Sequence, residues 1–290
     1  MRLRALAAAT VLALTLTGCA GKKPVIPADQ LWTEANESYE DEAYDYAIQK
    51  YKALLDQYPF DPNAEEAELK IAQAYYAADR YPEAIAAFGN FERMHPTSTH
   101  LPSTEYHRGL SYLAQYSTAD RDQQPITSAL TTFRNITDRF PGTPWADRSQ
   151  LRIRECREAL ARHEADVASY YLQQESMRAA EFRLRGLLTE YPETDAAADT
   201  LYLFGQAYEE REDTDAAKLA YATLVRHHPD VPNARIVREQ LGADVGAGPA
   251  DPLPALVAYL DVARSRPDRT SVPRTVSAYP DTGNASGARY

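Results

Sequence analysis

The chain reads as an all-α protein made of stacked helical hairpins, and three regularities predict it. Five alanines are each followed twelve residues later by a proline: Ala47 and Pro59, Ala84 and Pro96, Ala129 and Pro141, Ala180 and Pro192, Ala217 and Pro229. An aromatic or imidazole residue precedes every one of these prolines (Tyr58, His95, Phe140, Tyr191, His228). Four residues after each alanine stands a bulky side chain: Tyr51, Phe88, Phe133, Leu184 and Tyr221. That spacing puts small and large residues on one helical face, where the small one admits a neighbouring helix and the large one fills the gap. The proline then ends the helix, because it lacks a donor and restricts the residue before it.

A second helix lies upstream in each unit, with a small residue and an aromatic three later: Ala72 and Tyr75, Gly109 and Tyr112, Ala168 and Tyr171, Gly205 and Tyr208. The first unit has Ala35 with Ser38, and Tyr39 beside it. From small residue to proline, four units share one length (Ala35 to Pro59, Ala72 to Pro96, Ala168 to Pro192, Gly205 to Pro229), which is tetratricopeptide spacing. The expected fold is therefore an α-solenoid of about five tetratricopeptide hairpins. The third unit holds eight extra residues between Gly109 and Pro141, and the polar run 117–124 is read as a loop insertion. The fourth has a long first helix, with Thr143 as N-cap and Pro144 at the first helical position.

Four segments follow. Residues 1–18 have the form of a signal peptide, with Arg2 and Arg4 before an apolar run. Leu16-Thr17-Gly18-Cys19 is similar to a bacterial lipobox, which makes Cys19 the lipidation site and 19–28 a lipidated linker. Residues 29–241 are expected to form one continuous solenoid, ending in a capping helix over 234–241. The remainder, 242–290, is a Pro- and Gly-rich extension expected to be mostly disordered, with one short helix near 253–263.

Removing the two signal-peptide arginines takes the net charge from −11 to −13, which disfavours nucleic acid and anionic surfaces as partners. Cys156 is the other cysteine, so no internal disulfide is expected beside a lipidated Cys19. Nothing in the chain reads as an enzyme, and no cofactor or metal is expected. His163-Glu164 opens like a zinc-protease motif, but Val167 stands where its second histidine belongs. Ser103 and His107 lie one turn apart without an acid to orient the pair. The repeats do offer a binding stripe beside the small and aromatic signature positions: Trp32, Asn36 and Tyr39, then Leu69, Gln73 and Tyr76, then Tyr106, Leu110 and Leu113. Aromatic and amide groups side by side suit an extended or hairpin peptide with a hydrophobic end.

Several stretches agree in order with one known family: Tyr58-Pro59-Phe60-Asp61-Pro62, Ala74-Tyr75-Tyr76, Arg108-Gly109-Leu110, Asp120-Arg121-Asp122-Gln123, His163-Glu164, and Tyr191-Pro192 with Thr194. From Cys19 to about Glu210 the chain resembles the BamD family, lipoproteins of the outer-membrane β-barrel assembly machine. The resemblance implies a scaffold anchored by lipid to the outer membrane and facing the periplasm. It implies that the C-terminal repeats bind the periplasmic domains of BamA, with other Bam lipoproteins as further partners. The N-terminal repeats would take the C-terminal signals of unfolded outer-membrane proteins, which end in an aromatic residue. Arg183 is similar to a family arginine that pairs with a carboxylate on BamA, and Arg185 is placed to share that role. The loop around Asp120 is shorter than in the family, and about 60 residues follow the last repeat, for which the resemblance implies nothing. Other periplasmic repeat proteins, a secretin pilotin or a Tol-associated cell-division coordinator, are the alternative reading.

Overall fold

The computed structural model describes residues 25–116, 122–242 and 249–263. The signal peptide, Cys19, residues 117–121 and the tail beyond 263 lie outside them. Every regular element among the described residues is a helix: α1 (Ala28–Glu40), α2 (Tyr44–Gln57), α3 (Ala64–Ala77), α4 (Tyr81–Met94), α5 (Leu101–Gln115), α6 (Gln124–Arg139), α7 (Pro144–Gln173), α8 (Met177–Glu190), α9 (Asp195–Glu210), α10 (Thr214–His227), α11 (Pro232–Leu241) and α12 (Pro252–Ala263). The first ten are the paired helices of five hairpins, and the predicted all-α tetratricopeptide class holds. The described residues form two compact units, 25–116 with 122–153, and 154–242 with 249–263. Helix α7 belongs to both.

The repeated signature does the packing that its spacing implies. Ala47, Ala84, Ala129 and Ala180 are fully buried, as are Tyr51, Phe88, Phe133 and Leu184 four residues on. In the first unit α1 to α6 pack each against the next, around a core that includes Leu31, Ala35, Tyr51, Leu54, Phe88 and Phe91. In the second the core includes Leu184, Leu187, Leu201, Phe204, Tyr208 and Leu224. Burying one Leu or Phe contributes roughly 1.5–3 kcal/mol.

Both ends of each hairpin are built alike. All five residues before the prolines are helix C-caps, with φ between −136° and −124° and the N–H still bonded to the carbonyl four residues back. The chain then turns tightly in each: Asp61 N–H donates to Tyr58 O, Ser98 to His95, Thr143 to Phe140, Thr194 to Tyr191, and Val231 to His228. Thr143 does cap α7, its hydroxyl accepting from Ala146 N–H at 3.2 Å. Within four hairpins the turn passes through a left-handed residue that is not glycine: Glu42, Asp79, Glu175 and Glu212, with φ of 57–60°. In each, the next N–H (Ala43, Arg80, Ser176, Asp213) reaches back five residues to a carbonyl of the first helix, the paired closure of a Schellman motif.

Inside the 242–290 extension, α12 is a packed helix, and it lies against α8 and α10. Leu256 and Leu260 are buried on its inner side. Tyr259 donates to Asp213 at 2.5 Å, and the Asp251 carboxylate meets His227 at 2.9 Å. The expected capping helix is α11, which packs on α9 and α10.

Candidate functional site

The stripe divides into residues committed to packing and residues with spare capacity. On α1, Trp32 meets the Tyr51 ring edge-on at 5.7 Å. Tyr51 donates to Asn36 Oδ1 at 2.7 Å, while the Asn36 amide donates to the Trp32 carbonyl at 3.0 Å. Tyr39 stands edge-on to Tyr44 at 5.5 Å, with the Lys70 ammonium 4.7 Å from its ring centre. Burial raises the pKa of the Tyr39 and Tyr51 hydroxyls above the ordinary phenol value, so both remain protonated donors.

On α3, Leu69 is buried. Gln73 and Tyr76 are half-buried, and neither side chain hydrogen-bonds another described residue. One helical turn apart, they place an amide and a phenol on one face of α3. On α5, Tyr106 is 7% exposed and so has little surface left to offer. Leu110 and Leu113 are half-buried.

Two residues that the stripe omits hold these together. His107 lies 6.0 Å from Tyr76, 5.9 Å from Tyr106 and 5.8 Å from Trp145. Trp145 in turn lies 5.3 Å from Tyr106. The His107 ring is fixed by Nδ1 against the Ser103 carbonyl at 2.7 Å, and the Ser103 hydroxyl donates instead to His100 O. That pair is therefore a helix contact, not a nucleophile and its base. No group of three or more metal-ligating side chains is present among the described residues.

The same unit holds an ionic network. Glu92 takes Arg108 at 2.7 Å and Arg139 at 2.6 Å, and Arg139 also pairs with Glu105, whose side chain has no exposed surface. Burial, and then the Glu92 carboxylate, push the Glu105 carboxyl up to about 7. Burial also works against ionisation of Glu92, but the Arg139 hydrogen bond and the two guanidinium charges hold its pKa below the usual value.

In the second unit both candidate arginines already have carboxylate partners. Arg183 pairs with Glu164 of α7 at 3.1 Å and keeps 35% of its side chain exposed. Phe182 beside it is 51% exposed. Arg185 pairs with Asp261 of α12.

Comparison with known proteins places this architecture. Residues 24–231 match the family model described as outer membrane lipoprotein, YfiO. The chain belongs to that family. Among its relatives, the outer membrane protein assembly factor BamD of Vibrio cholerae serotype O1 is 32% identical over 220 residues, covering 71% of this chain and 91% of that protein. BamD of Pasteurella multocida is 29% identical, covering 75% and 90%, and BamD of Haemophilus influenzae is 28% identical, covering 72% and 84%. Among solved structures, the TPR2AB domain of yeast Sti1 is 15% identical at a TM-score of 0.41, and the fold assignment rests on the hairpins themselves. No described helix is long and apolar enough to cross a membrane.

Proposed function

We propose that the chain is a non-enzymatic scaffold of outer-membrane protein assembly, anchored through lipid on Cys19 and facing the periplasm. Family membership across residues 24–231 carries the reading, since that span takes in all five hairpins. Its second unit binds the periplasmic domains of BamA, with Arg183 meeting a partner carboxylate. Both arginines pair within the chain, Arg183 with Glu164 and Arg185 with Asp261, so the choice of Arg183 rests on the family resemblance, with Arg185 placed to share the role. Other Bam lipoproteins are further partners. The first unit takes the C-terminal signal of an unfolded outer-membrane protein, Gln73 and Tyr76 supplying hydrogen bonds and the Trp145–His107–Tyr76 rings an aromatic wall.

The test is recovery of partners by tagged protein from detergent-solubilised outer membranes, wild type beside Arg183→Glu. A large β-barrel protein recovered with wild type and lost with the charge reversal supports both the role and the contact. Equal recovery moves the contact away from Arg183. Recovery of a secretin or a Tol component instead would replace this reading with a pilotin or a cell-division coordinator.

A further inference from the structure

A turn closed by the same backbone hydrogen bond follows the second helix of all five hairpins, and the residue just after its proline is solvent-exposed each time. Those residues are Phe60, Thr97, Gly142, Glu193 and Asp230. Four of the five are polar or lack a side chain, so folding of this turn makes no demand for an apolar group there. Phe60 is nonetheless 97% exposed. Flanking Pro59 and Pro62 are exposed as well. The one acid in the tip is turned inward, Asp61 Oδ1 accepting from Asn63 N–H at 2.8 Å. The result is a stiff point led by an apolar ring, with its one carboxylate drawn back into a local hydrogen bond.

Its position says what covers it. Tyr58, at the base of the same turn, donates to the Ile26 carbonyl at 3.0 Å, tying this loop to the segment by which the chain enters the fold. Cys19 is seven residues before Ile26, a reach of at most about 25 Å when fully extended. Lys22 and Lys23 lie within that span, and Val25 is 73% exposed.

We propose that the Pro59–Phe60–Pro62 tip is a membrane-contact point, Phe60 entering the headgroup region of the phospholipid surface beside the acyl anchor. A single acyl attachment holds a protein to a bilayer without orienting it, and a second contact close to the first fixes the tilt. The chemistry selected is the interfacial zone of a phospholipid leaflet, where aromatic side chains settle. Attraction to anionic lipid is not the driving force, given the acidic body. This inference rests on the lipid-anchor reading of Cys19.

The experiment uses full-length lipidated protein in vesicles of phosphatidylethanolamine and phosphatidylglycerol, with and without brominated acyl chains. Phe60→Trp is compared with Thr97→Trp, the equivalent tip of the second hairpin, and wild-type emission from Trp32 and Trp145 is subtracted. The expected result is a blue-shifted Phe60→Trp signal that brominated lipid quenches, while Thr97→Trp stays water-like and unquenched. Anchored protein in which both signals are water-like overturns the proposal and leaves the anchor standing. A blue-shifted Phe60→Trp signal that brominated lipid leaves unquenched assigns the tip to a protein contact, and also overturns the proposal. Protein that fails to sediment with vesicles and carries no acyl mass on Cys19 sinks the anchor reading itself, and this inference with it.

Discussion

A methyl group placed on Gly205 would lie 2.2 Å from the ring of Tyr221. The ring has little freedom to retreat, since its hydroxyl donates to Glu209 at 3.0 Å. Gly109 stands in the same relation to Phe133, at 2.7 Å. In these two hairpins the small signature residue is a glycine because an aromatic edge rests on the backbone itself. Gly205→Ala is therefore expected to destabilise the protein by about 1–3 kcal/mol through overpacking. Gly186→Ala, at a helical glycine with nothing within 4 Å of the added carbon, is expected to stabilise by about 0.5–1 kcal/mol. Urea unfolding of the two variants checks both signs, and equal effects would refute the packing account.

Left-handed geometry at Glu42, Asp79, Glu175 and Glu212 costs a residue with a Cβ about 1–2 kcal/mol. Glycine there removes that strain, but it enlarges the unfolded ensemble. Glu42→Gly and Glu212→Gly are each expected to raise stability by about 0.5–1 kcal/mol net. A fall in melting temperature for both would show that the acids contribute something the turn geometry does not reveal.

The repeat period, the helix ends, the long α7 and its cap were legible because each leaves a local mark: small–large spacing, a proline, or a threonine before Pro144. Other features left none. His107 and Trp145 join the stripe residues through contacts between helices, at positions the repeat register does not single out. The Arg185–Asp261 pair spans 76 residues. The short helix near 253–263 is readable in the sequence, but its docking on α8 and α10 is not, because nothing in that Pro-rich stretch marks a partner helix.

That docking makes α12 part of the second unit's stability. Leu260→Ala is expected to cost about 2–5 kcal/mol by leaving a cavity against α8 and α10. Asp261→Ala is expected to change stability by less than about 1 kcal/mol, as for other partly exposed ion pairs. Thermal unfolding separates them, and a neutral Leu260→Ala would mean that α12 is only loosely held.

Glu105 gives stability a pH dependence of definite sign. Its folded pKa of about 7 lies above the ordinary 4.5, so between those values the folded state holds more protons than the unfolded state. Stability from this group is present below about 4.5 and is lost as pH rises through about 7. The value of about 7 already includes the opposing pull of Arg139, and a rise of that size corresponds to a change on the order of 3 kcal/mol. Unfolding followed across that window should show the decline in wild type and a flatter profile in Glu105→Gln. Identical profiles would mean that Glu105 titrates normally.

The two classes of stripe residue should separate in binding assays. Gln73→Ala and Tyr76→Phe, the latter keeping the ring packed on His107, are expected to weaken binding of a peptide ending in an aromatic residue several-fold, with stability almost unchanged. Tyr106→Ala, which removes a buried ring packed on Phe133, is expected to lower stability by about 3–5 kcal/mol. Fluorescence titration beside thermal melting tells them apart, and unaltered affinity in both α3 variants would move the peptide site elsewhere.

Cys156 is fully buried in the second unit. Reagents that attack thiols therefore meet no accessible native target among the described residues. A cysteine introduced at Gln73 or Phe60 becomes the accessible point for a photo-crosslinker or a spin label, with the native thiol left in place. Neighbours trapped from each point in intact cells would then identify what each surface touches, without purification choosing the partner beforehand.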